Sequence, residues 1–320
     1  MAALVRDHWS VEGATAGPFP DGASLRSGHR GWVLVGDDAR RLGGAMAWAR
    51  QQGVEELHVL ADDPATAGVL ARRASQFAAP PEVWRVEGRT LRPADAAPRP
   101  MFPAPSPSAE LFRPLLAAAG LEVVVEQGQL IGELHGLEVA RVVSPEGDPA
   151  GARLEVGVGR FDREAFALMN ADLPDAEALA KAVGIVGGYR RAGAPHHQLN
   201  RLVPERWFRA AVVAEPGLVG ADHLEPVESA APRRDLTAPW PASAVGVDGE
   251  GRPLVVTCST GVDLDLVPAA ADDRFAHVPG ARLVLALPER DRLPVTEALA
   301  AALLDPAELV AVDDRWRPRA

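Results

Sequence analysis

The chain holds one lysine among 33 basic residues, one cysteine and one tyrosine in 320 positions. The single lysine, Lys181, follows Ala180. A G-x-x-x-x-G-K-[ST] phosphate loop is therefore excluded, because that loop needs a lysine directly after a glycine. Schiff-base chemistry has only Lys181 to use, in a segment that reads as an ordinary helix. A lone Cys258 excludes an internal disulfide and any C-x-x-C zinc site, so the expected setting is a reducing cytoplasm. There is no G-x-S-x-G elbow and no G-x-G-x-x-G run. No stretch approaches the roughly 18 apolar residues that span a bilayer. The charged opening MAALVRDHWSVEGATAG does not read as a signal peptide. No membrane partner is expected.

What remains is long enough for two or three domains. The formal charge of −11 is uneven. Residues 1–100 carry 12 basic and 12 acidic groups, residues 101–220 carry 11 against 15, and residues 221–320 carry 10 against 17. An acidic C-terminal part does not attract a polyanion at long range.

The pattern predicts a mix of α/β and α+β structure. Residues 1–30 lack periodicity and read as a flexible arm. Residues 31–92 alternate strand and helix and read as a small α/β module. Asp37 or Asp38 caps one helix, which Gly53 ends, and Asp63-Pro64 opens the next. Residues 93–108 fall in a stretch rich in Pro and Ala and read as a linker. Residues 109–224 predict a central α+β domain, with a helix, an antiparallel meander over 121–158, then helices at 162–169, 175–189 and 200–214. Residues 225–242 form a second linker. Residues 243–320 read strand, turn, strand, helix, strand, helix, strand.

Three constellations hold chemistry. In the last segment, Asp248 ends a strand, Thr257-Cys258-Ser259 lies on the next, and Asp263 and Asp265 open the helix that follows. Over residues 243–312 this order of elements resembles the core of PD-(D/E)XK nucleases, and the chain as a whole resembles uncharacterised proteins of GC-rich bacteria. The resemblance places Asp248 at the family's Asp. Its Glu-x-Lys is replaced by Thr257-Cys258-Ser259, so the implied core is catalytically degenerate. Asp248, Asp263 and Asp265 are the candidate Mg²⁺ ligands if a divergent phosphodiesterase survives; otherwise no cofactor is expected. Cys258 as a nucleophile has no histidine at recognisable spacing.

The second constellation is the run 190–209, with five arginines and one acid. Arg190, Arg191, Arg201, Arg206 and Arg209 offer forks for phosphate, and Trp207 offers a stacking face. On a continuous helix, Arg201, Glu205 and Arg209 would share one face, and Asn200, Pro204, Trp207 and Phe208 another. The same residues read equally as an amphipathic helix with paired arginines. The third constellation joins Asp162 and Glu164 at a helix start to Glu133, His135 and Glu138 on neighbouring strands, as a carboxylate–imidazole cluster or as caps and solvated charges.

Three functions fit these residues. The first is a nucleic-acid-associated protein, binding DNA or RNA, with a degenerate nuclease-like domain. The second is a Mg²⁺-dependent phosphodiesterase. The third is a scaffold that binds another protein, which an exposed apolar patch on the 121–158 sheet would favour.

Overall fold

In the computed structural model, residues 1–144, 151–231, 233 and 236–317 are described. The fold is α/β and α+β, with helices and mixed or antiparallel sheets. The chain divides into two compact units. One comprises residues 1–100, 262–285 and 292–309, and the other residues 101–261, 286–291 and 310–320. The sequence boundaries differ from this. Residues 262–285 and 292–309 belong with the N-terminal module rather than with 243–261.

In the first unit, α1 (Ala2–Trp9), β1 (Thr15–Gly17) and β2 (Ala23–Ser27) precede β3 (Arg30–Leu34). Then come α2 (Leu42–Gln52), β4 (Glu56–Ala61), α3 (Pro64–Ala74), β5 (Glu82–Glu87) and β6 (Thr90–Pro93). The six strands form one sheet in sequence order. β3, β4 and β5 are parallel, and β1, β2 and β6 pair antiparallel outside them. Trp32, Val33, Val59 and Leu60 are fully buried, as expected where helices cover a parallel centre. Caps follow the sequence: the Asp63 carboxylate accepts from Thr66 N, and Gly53 ends α2 at φ 65°. Residues 1–30 form a helix and strands rather than a flexible arm. Val5 and Leu25 enter a core with Trp32, and Trp9 packs edge-on against Trp84. The burial of these apolar side chains is what anchors the segment.

In the second unit, α4 (Pro107–Glu110) and α5 (Arg113–Ala118) lead into β7 (Glu122–Glu126), β8 (Gln129–Leu134), β9 (Leu137–Val143) and β10 (Arg153–Val156). These strands make the expected antiparallel meander. Its first two turns, Gln127-Gly128 and His135-Gly136, hold all four residues at positive φ, the handedness that a two-residue hairpin loop requires. α6 (Gly159–Met169) and α7 (Asp175–Tyr189) pack on β8–β10. α8 (Pro204–Ala214) then packs on β11 (Ala221–Pro226), β12 (Ala242–Asp248) and β13 (Pro253–Cys258), which run antiparallel to one another. The chain continues through α9 (Leu266–His277), β14 (Arg282–Leu287), α10 (Pro294–Ala301) and β15 (Glu308–Ala311). α9 packs against α3 in the first unit.

Candidate functional site

The basic run is not one helix. Gln198–Arg201 forms a 3-10 turn, Val203 turns left-handed at φ 41°, and α8 starts only at Pro204. Proline disfavours a helical residue before it, so Asn200 and Arg201 cannot share the faces of α8. The candidate phosphate ligands are then drawn apart. Arg190 is fully buried and donates to the carbonyls of His135, Leu199 and Leu202 at 2.8–3.0 Å. Burial pushes its guanidinium down to about 9. Arg206 donates to Glu133 at 2.8 Å and to Glu126. Arg209 donates to the other Glu133 oxygen at 2.6 Å. Trp207 is buried with the Arg190 guanidinium 4.6 Å over its ring, so it offers no open stacking face there. Only Arg191 and Arg201 stand exposed. Arg190, Arg206, Trp207 and Arg209 therefore engage this chain's own carbonyls, carboxylates and rings, because burying an arginine requires partners for its N–H groups; Arg191, though exposed, also donates to the Gly188 carbonyl at 3.4 Å.

The candidate metal ligands are likewise occupied. Asp248 closes the β12–β13 turn, accepting from Glu250 N, Arg252 N and Arg252 Nε at 3.0 Å each. Asp263 accepts from Arg40 at 2.9 Å. Asp265 accepts from Arg73 Nη1 at 2.8 Å and from Gly43 N at 3.0 Å. Among the described residues, no group of three His, Cys, Asp or Glu side chains could hold a metal ion. Thr257, Cys258 and Ser259 are buried, and burial pushes the Cys258 thiol up to about 12, which keeps it protonated and unreactive.

The carboxylate–imidazole cluster does not assemble. Glu133 serves α8, while Glu138 pairs with Arg141 at 2.6 Å and Arg163 at 2.7 Å. His135 sits in the hairpin turn at φ 48°, and burial and Arg190 lower its pKa. Asp162 lies in the first turn of α6 rather than at its cap position, where it accepts from Val158 N at 2.7 Å, and Glu164 pairs with Arg160.

The surface that remains unexplained is apolar. On α6, Phe161 and Leu168 are each 83% exposed and Met169 is 75% exposed. Phe161, Ala165 and Leu168 fall at i, i+4 and i+7, one stripe of the helix. Phe166, on the opposite side, is buried in the core. On α7, Ile185 and Tyr189 are also exposed, four residues apart. The cavity of ≈ 600 Å³ beside α6 does not account for them, because its apolar lining includes Leu154, Phe166 and Leu173 but not the outer stripe. Among the described residues the 121–158 sheet exposes no large apolar side chain, so the patch that would favour a scaffold is not on the sheet; Phe161, Leu168, Met169, Ile185 and Tyr189 are on α6 and α7. Comparison with family models, with curated proteins and with solved structures finds no match to this chain.

Proposed function

We propose that this chain is a protein-interaction module that docks another protein through the outer face of α6. The observation that carries this reading is the exposed stripe of Phe161, Leu168 and Met169. Leaving three large apolar side chains in water forfeits burial of roughly 1.5–3 kcal/mol each, which a docked partner would recover. The Arg160–Glu164 ion pair beside the stripe supplies the polar rim such an interface carries. The nucleic-acid reading now rests on Arg191 and Arg201 alone, and the phosphodiesterase reading on carboxylates already engaged by arginines and backbone. The nuclease-like order of elements over 243–312 remains a resemblance of scaffold, to which this reading attaches no cleavage.

The test is photo-crosslinking from position 168 in the cell, with exposed Glu55 as the control position. A discrete protein adduct from 168 and none from 55 is expected. No adduct from 168, or the same smear from both positions, would sink the reading.

A further inference from the structure

A cleft of ≈ 480 Å³ lies within the first unit, between the β1–β2 end of the sheet and α2. Its size suits a small molecule. The strand register builds it. Leu25 enters a core with Val5 of α1, so its neighbour Arg26 points to the opposite face of the sheet. Thr15, Arg26 and Gly31 are cross-strand partners in one row, and residues directly opposite share a face. Trp48 of α2 lies against Gly31, where a Cβ would stand 2.8 Å from Trp48 Cζ3. The indole therefore fills the third place of the row, over a position without a side chain. Strands lie about 5 Å apart, so Arg26 has Thr15 about 5 Å to one side and the Trp48 wall about as far to the other. Gln51 and Gln52 follow Trp48 at i+3 and i+4 and extend that wall by one turn.

Arg26 is the one ionisable side chain on the lining. It is exposed, and its Nε donates to the Gly28 carbonyl at 3.1 Å, which orients the fork. Its two Nη groups meet no carboxylate among the described residues. Arg30 and Arg41, by contrast, pair with Glu56 and Asp21. Around the fork stand the hydroxyls of Thr15 and Ser27 and the amides of Gln51 and Gln52, none bonded through its side chain to a described residue.

The character of a ligand follows from these groups. One guanidinium with no acid on the lining calls for a single carboxylate and leaves no place for an ammonium. Hydroxyls and amides that both donate and accept match ligand hydroxyls, which do the same. The Trp48 ring supplies an apolar wall for the C–H face of a sugar ring. An aromatic acid would use the fork and the wall but leave the hydroxyls and amides without partners.

We infer that this cleft binds an acidic monosaccharide, a pyranose with one carboxylate, held by Arg26 and walled by Trp48. The cleft belongs to the first unit and the α6 surface to the second, so either reading can fail alone.

The test follows the indole N–H signal of Trp48 by NMR in the full chain, identified by its loss in Trp48→Phe, during titration with glucuronate, glucose and benzoate. Glucuronate should move this signal, binding about 10-fold more tightly than either glucose or benzoate. Arg26→Gln removes the charge at an exposed position, so it should melt as the parent does while glucuronate binding falls about 10-fold, to the level of glucose. No movement of the Trp48 signal by glucuronate at about 20 mM would overturn the inference. So would glucose or benzoate binding as tightly as glucuronate, or glucuronate binding Arg26→Gln unchanged.

Discussion

Each unit buries a cluster of arginines against acids, and the two clusters are finished differently. In the first unit, Asp272 on α9 receives Arg72 through both its oxygens at 2.7 and 2.9 Å, and Arg73 at 3.0 Å. Arg73 turns its Nη1 to Asp265 at 2.8 Å and to the Ala39 carbonyl at 3.1 Å. The network closes on itself. In the second unit, Glu133 receives Arg206 and Arg209, but Arg209 Nε, Arg233 Nε and Glu122 Oε2 have no hydrogen-bond partner among the described residues. A closed network accounts for its charges by folding alone. An open one leaves polar atoms that folding alone does not pair.

The largest effect should come from breaking the closed network. Asp272→Ala strands two buried guanidinium groups and should lower stability by about 3–5 kcal/mol in urea unfolding. Glu133→Ala should cost somewhat less, about 3 kcal/mol, because Arg206 keeps Glu126. A cost below about 1 kcal/mol would mean that the second network is not structural at all. Gly136→Ala should also be destabilising, since an added Cβ would run into the Arg206 carbonyl and the position needs positive φ. Cys258 gives a chemical readout of the same packing. With its thiol pushed up to about 12, native protein at pH 8 should label with a thiol reagent only as fast as it unfolds, and urea should release fast labelling. The smallest effect belongs to the exposed arginines: Arg191→Ala with Arg201→Ala should shift stability by less than about 0.5 kcal/mol.

Much of the secondary structure could be read from the sequence, for local reasons. Asp63 before Pro64, Gly53 after Gln52, and the glycines of the two tight hairpins each fix a terminus or a turn by short-range chemistry. The destination of the arginines could not be read. Arg72 meets Asp272 two hundred positions away, and Arg209 meets Glu133 seventy-six positions away. A basic run looks the same whether its charges face water or a buried acid. α6 posed a similar ambiguity, since periodicity finds an apolar stripe but both Phe161 and Phe166 offer one. Trp316 carries no local signal in the sequence. Only the fold brings it to Phe208 and Trp207.

The most direct measurement of whether the basic run is spent inside the protein is the salt dependence of its binding to an oligothymidine single strand. The account predicts no binding that weakens steeply between about 50 and 200 mM salt. Tight, salt-sensitive binding that is lost when Arg206 and Arg209 are changed to glutamine, in a variant that still melts cooperatively, would contradict it.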